Sequence, residues 1–301
     1  AMSRRQRQMC IRDSYYVATS YGSDSNNGNS INTPFKTIGK AASVMSSGDK
    51  CYIRQGRYHE TITIDDLDGS SGSAIVFTNY NNERVVIDGT TPITSTWTRV
   101  GSTNIWKTKL SADIWQLFIN WEEQVMARWP NAKFSDDTIW DNDNYWAKGT
   151  IDDDENAYTN GTIIDDPYTN SAGTAVDLNA TGFDLDETNK QAIAILNLGS
   201  FKTGSRLVTS HSGNTFNYAT VPTWKTKHHY YYLEGRKEFL DQEGEWWYDT
   251  YNNADSLYYY AANGVNPNRL DFRGKVQSYA FSITGSPVSY THLRAHETTL
   301  D

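Results

Sequence analysis

The chain has 301 residues, 27 basic against 36 acidic, for a net charge of −9. An acidic surface disfavours nucleic acid and anionic membranes, both of which are polyanions. No apolar run is long enough to span a bilayer as a helix, and two cysteines, Cys10 and Cys51, are too few for a disulfide framework.

The two ends read differently from the rest. Residues 4–14 and 288–298 resemble in-frame translations of transposase-type sequencing adapters, correctly oriented at each end. Residues 1–14 and 288–301 are therefore expected to be adapter-derived and are set aside from the fold. They carry five basic and three acidic residues, leaving −11 between them, and they remove Cys10, so Cys51 stands alone. On this reading the chain is a fragment from an environmental read, and a lost leader is expected.

From residue 15 a short strand (15–19) leads into a turn-rich loop, Gly22 to Asn29. Phe35, Ile38, Ala41, Ala42 and Met45 then recur at helical spacing. Thr33 suits an N-cap and Pro34 the first helical position, and Gly48-Asp49 stops the helix. A strand (51–54) and a turn (55–58) follow. Short Val/Ile/Thr strands recur at 61–64, 74–77 and 84–87, separated by Asp/Asn/Gly turns every ten to twelve residues.

The order strand, Asp/Asn/Gly loop, Thr-Pro-Phe-Lys-Thr-Ile helix, Gly-Asp, strand and Gly-x-Tyr-x-Glu resembles the N-terminal start of right-handed parallel β-helix proteins. It is similar in particular to bacterial glycoside hydrolases and polysaccharide lyases, over residues 15 to about 90. The resemblance implies an all-β fold: a cap and first β-helix coils over 15–91.

From Thr90 the pattern changes. All ten tryptophans lie between Trp97 and Trp247. Aromatic strands at 97–100, 105–110 and 115–120 precede Trp121 to Asn131. Residues 135–190 are rich in Asp, Asn, Gly and Thr and read mostly as loop. Strand character returns at 191–196, 206–209, 230–233, 244–249 and 256–260. Residues 92–276 are read as an inserted β-rich, sandwich-like domain, and 277–287 as a return to the β-helix. Segments 117–131 and 240–258 resemble parts of β-helix glycoside hydrolases of the fucosidase-like and xylosidase-like type. That resemblance implies catalytic groups mostly on later coils, absent here.

Candidate chemistry is sparse. Glu243 and Glu245 flank Gly244. In a strand they would share a face about 6.5–7 Å apart, near the separation of an inverting glycosidase pair; the Gly between them suggests a bulge or turn instead. Arg128 offers a fork of donors to a substrate hydroxyl or carboxylate, or pins a loop. Trp129 offers a sugar-stacking face, or fills a core. Trp140, Tyr145 and Trp146 sit in a polar loop as a sugar platform or a local cluster, and Trp246 joins them as a substrate-binding candidate. His228 or His229, with Lys225, Lys227 and Arg236, has the chemistry of a lyase, although two successive strand residues face opposite sides. No cofactor is expected; Asp24 to Gly28 and Asp152 to Glu155 are oxygen-rich loops that could hold calcium, without the full twelve-residue pattern.

The reading that follows is an exported bacterial polysaccharide-degrading enzyme, extracellular or periplasmic and monomeric. A glycoside hydrolase is expected, represented by a fragment without its catalytic coils. A polysaccharide lyase on the same scaffold, or a non-catalytic glycan-binding surface protein, is the alternative.

Overall fold

The computed structural model describes residues 13–65, 73–149, 161–188, 190–199, 203–221, 230–249 and 255–284. The chain is all-β with a few one-turn helices. It divides into two compact units, one built from the segments before Thr91 and after Val276, the other from Thr91–Val276.

Among the described residues of the first unit every ladder is parallel. Ser14–Val17 pairs with Lys50–Ile53, which pairs with Val76–Asn79. Gly56–Tyr58 pairs with Val85–Ile87, and Ile62–Asp65 with Phe281–Thr284. Three consecutive strands of one pass (50–53, 56–58, 62–65) thus each meet one strand of a later pass. Residues 91–276 leave the chain between the second and third of those later strands. Asp13 and Ser14, expected to be adapter-derived, take part: the Asp13 N–H donates to Asp49 Oδ1 at 2.9 Å and Ser14 opens the first strand.

The helix spans Ile38–Ala42, later than Thr33 and Pro34 suggest, with Thr37 as its N-cap. Two distant carboxylates explain the shift. Asp24 Oδ1 accepts the N–H groups of Lys36 and Thr37 at 2.8 and 2.9 Å. Glu60 accepts those of Ile38 and Gly39, both at 2.9 Å. The orphan donors of the first turn are satisfied from outside the helix, while Phe35 stays extended, bonded through its backbone to Tyr16 and Ala18. The helical spacing still marks the core: Phe35, Ile38, Ala41, Ala42 and Met45 are all buried, against Val17, Cys51, Ile53, Tyr58, Ile62 and Ile64. Tyr58 is locked by its hydroxyl, which donates to Arg54 O at 2.8 Å.

The strand registers of the second unit are antiparallel, with one isolated parallel bridge between Met126 and Trp246, so the described residues taken together are mostly antiparallel and not a solenoid. One sheet has the order Arg128–Trp129, Tyr230–Glu234, Ile193–Asn197, Thr203–Ser212, Thr215–Tyr218, Thr162–Ile164, with Ala147–Lys148 also on the Tyr230 strand. A second runs Trp246–Asp249, Ser256–Tyr260, Ile105–Lys109, Thr98–Arg99, and a third Glu122–Gln124, Leu117–Ile119, Phe272–Lys275, Thr90–Pro92. The second sheet is the middle layer. Trp246, Leu257 and Tyr259 pack into a core with Leu117, Ile119 and Phe272. Trp247, Tyr258 and Tyr260 turn the other way, onto the core of the first sheet. Side chains alternate between faces with a period of two, so the unbroken aromatic runs at 246–248 and 258–260 are those of strands covered on both sides. The expected sandwich is a three-sheet stack.

Candidate functional site

Strand Tyr230–Glu234 organises the polar centre of the second unit. Tyr231 and Leu233 are fully buried in the core, which turns Tyr230, Tyr232 and Glu234 to the opposite, half-buried face. Arg128 is the direct register partner of Glu234 and so shares that face. Its guanidinium lies 3.7 Å from the Tyr232 ring centroid and 5.8 Å from that of Trp146. Trp146 meets Tyr232 edge-on at 4.7 Å.

Arg128 is 1% exposed. Its Nε donates to Pro130 O at 2.8 Å and its Nη2 to Tyr145 O at 3.0 Å. It therefore clamps the two ends of loop 130–145, the loop-pinning role weighed against substrate binding. Its Nη1, the Trp146 indole nitrogen and Glu245 Oε1 are buried without a hydrogen-bond partner. Desolvation brings the guanidinium down to about 10, with Tyr232, Glu234 and Glu245 pulling the other way. Glu234 keeps a little surface but is closely surrounded, and desolvation lifts its carboxyl to about 7 against the pull of Arg128.

Glu243 and Glu245 do not form a pair on one face. Gly244 sits at φ 93° in a turn, and the strand begins only at Trp246. Glu243 is exposed, whereas Glu245 is 1% exposed. Glu245 Oε2 accepts the N–H groups of Asp241 and Gln242 at 3.2 and 3.1 Å. Burial lifts its carboxyl to about 8; Asp241 adds to the rise, and the Gln242, Asp241 and Arg128 amides oppose it. Glu245 is thus a turn-closing group away from solvent.

The aromatic candidates separate as well. Trp246 is 1% exposed and donates its indole N–H to Gln124 O at 3.0 Å, which makes it core and not a platform. Trp129 is partly buried against the first core, with Phe183 and Tyr231 near it. Trp140 is 73% exposed, tilted against Phe134 at 6.1 Å. Only Trp140 among these presents a broad open ring; Trp146 stands beside Arg128.

Asp24 spends its carboxylate on the amides of Lys36 and Thr37, and no group of three or more potential metal ligands occurs among the described residues. Asp152 to Glu155, Lys225, Lys227, His228 and His229 lie outside the described residues. Arg236 is buried and tied to Glu187 at 3.1 Å and Glu238 at 3.0 Å. Glu234 and Tyr232 escaped sequence reasoning. Their signal was the parity of Tyr-Tyr-Tyr-Leu-Glu, which places the carboxylate on the same face as the first and third tyrosines.

No protein-family model matches the chain. Over 75 residues it is 42% identical to the uncharacterized protein YwoF of Bacillus subtilis (strain 168), a match covering 25% of this chain and 16% of that protein. A solved structure described as a glycoside hydrolase superposes with a TM-score of 0.58 at 18% identity, over 91% of this chain and 48% of that one. A complex of XylC with xylose covers 89% of this chain and 32% of its own at a TM-score of 0.40 and 16% identity, too loose a likeness to argue from. The chain therefore shares a fold with a glycoside hydrolase and spans about half its length.

Proposed function

We propose that this chain is the N-terminal part of an exported carbohydrate-active enzyme, a glycoside hydrolase on a right-handed parallel β-helix. Residues 15–91 supply the capped first coils and 92–276 an insertion. One observation carries the reading: the fold likeness to a glycoside hydrolase runs through 91% of the chain, across both units. The pairing of three consecutive strands, each with its own parallel partner, supports a coil geometry with the insertion leaving its second turn. The matching structure is about twice as long, which supports a longer parent, and our reading puts the hydrolytic acid and base in that parent outside this sequence. Arg128, Glu234 and Glu245 then hold the insertion in shape, and Trp140 is left as a glycan contact.

The test is turnover. The longer parent, purified and offered a panel of plant and bacterial polysaccharides, is expected to release reducing sugars, and the 301-residue chain is not. Products absorbing in the ultraviolet as unsaturated sugars would assign a lyase instead. Turnover by the 301-residue chain would refute the placement of the catalytic groups, and an inert parent would refute the enzyme reading.

A further inference from the structure

Strands Leu117–Ile119 and Glu122–Gln124 are joined by a two-residue turn, Asn120-Trp121. Both residues have positive φ, 51° and 73°, the signature of a type I′ hairpin turn. Asn suits the first position, and its side chain accepts the Asp271 N–H at 3.2 Å. Glycine is the residue that suits the second. A tryptophan there is a backbone outlier for a bulky side chain, of the kind that persists where a function uses it.

The core gains little from this tryptophan. Leu117, Ile119 and Phe272 fill the interior from one face of the sheet, whereas Trp121 is 41% exposed over the other. The Arg273 guanidinium lies 4.3 Å from its ring centroid. Phe118, half-buried, is the register partner of both Arg273 and Glu123, and Gln116 Nε2 donates to Glu123 Oε1 at 2.6 Å. An indole held at a hairpin tip therefore has a guanidinium against it, on a sheet face that also carries a second aromatic, a carboxylate and an amide.

We propose that Trp121 is a stacking platform for a pyranose ring of an oligosaccharide, with Arg273, Glu123 and Gln116 exchanging hydrogen bonds with its hydroxyls. A sugar ring offers an apolar C–H face to an indole and donors and acceptors at its edge. This rests on the carbohydrate reading above and adds a site to it. The strained backbone makes the platform separable from a structural role, because glycine relieves the turn while removing the indole.

The experiment uses the 301-residue chain and W121G, with W121N as a second variant that keeps a residue tolerant of the left-handed region. Cellohexaose, xylohexaose, mannohexaose and hexagalacturonate are titrated by calorimetry, and unfolding is followed by temperature. The wild-type chain binds at least one of the four. W121G weakens that binding at least about tenfold while its Tm rises by about 2–4 °C, and W121N weakens it without lowering Tm. Unchanged binding in W121G overturns the platform and leaves the carbohydrate reading standing. A fall in Tm in both variants overturns it by making the indole structural. Failure of the wild-type chain to bind any of the four also overturns it, whereas the carbohydrate reading is decided separately by turnover of the longer parent.

Discussion

Glu245→Gln is the sharpest test of the polar centre of the second unit. In the unfolded chain this carboxyl titrates near 4.5; in the fold, burial lifts it to about 8. Between those values the folded state holds a proton that the unfolded state has released. Stability contributed by the neutral carboxyl is therefore fully present below about 4.5 and lost as pH rises toward 8. At 1.36 kcal/mol for each pH unit of difference, the ceiling on this loss is about 5 kcal/mol. Relaxation of the turn and entry of water around the new charge bring the expected difference to roughly 2–3 kcal/mol. Glutamine keeps an oxygen to accept the Asp241 and Gln242 N–H groups and cannot ionise. Urea unfolding of both proteins at pH 5, 6, 7, 8 and 9 reads the difference directly, and contributions from Glu234 and other shared groups cancel. The variant should gain on the wild type through pH 5–8 and then hold a constant lead. Parallel stability profiles across that range would refute a neutral buried Glu245.

Removing the external cap of the first helix, Glu60→Ala, strands the Ile38 and Gly39 N–H groups and should lower stability by about 1–2 kcal/mol in chemical unfolding; an unchanged midpoint would dismiss the cap. Tyr231→Phe takes the hydroxyl from the buried Asp165 carboxylate, whose other oxygen accepts the Leu178 N–H at 2.8 Å. A loss of about 1–3 kcal/mol is expected, partly recovered in the Y231F/D165N double variant, and an absence of coupling in that cycle would show the pair to be independent. Arg128→Lys cannot span both Pro130 O and Tyr145 O as the guanidinium does. It should cost roughly 2 kcal/mol and speed proteolysis within 130–145, and wild-type resistance there would remove the clamp.

How much was legible in advance differs between the two units. In the first, the helical spacing of Phe35 to Met45 identified the buried face even though the helix proper is only Ile38–Ala42. Apolar periodicity reports which side chains turn inward, and it does so whether the backbone is helical or extended at each one. The N-terminal boundary was misplaced because its carboxylate partners, Asp24 and Glu60, lie far away in sequence. A capping rule that looks only at neighbouring residues selects Thr33 when the donors are met from elsewhere.

In the second unit, composition announced a β-rich aromatic region, yet it could not separate core tryptophans from surface ones. Trp246, in a strand segment, and Trp140, in a polar loop, both read as sugar contacts; one is 1% exposed and the other 73%. Trp246 opens a strand covered by a sheet, whereas Trp140 ends a short helical turn over Thr138–Trp140. Of the two readings of Glu243 and Glu245, the turn at Gly244 is the one found, since its positive φ breaks the alternation that would have put both on one face.

Local pattern was enough for the β-rich character, the buried parity of the first unit and the residues with chemistry to offer, although the turn expected at 55–58 is a strand over Gly56–Tyr58. Packing between distant segments settled the rest. It set the register that brings Arg128 opposite Glu234, the double cover on the 246–249 strand, and the exposure of Trp121 at a strained turn. Register and burial depend on contacts between segments distant in the chain, and a carboxylate or an indole acquires its role from those contacts.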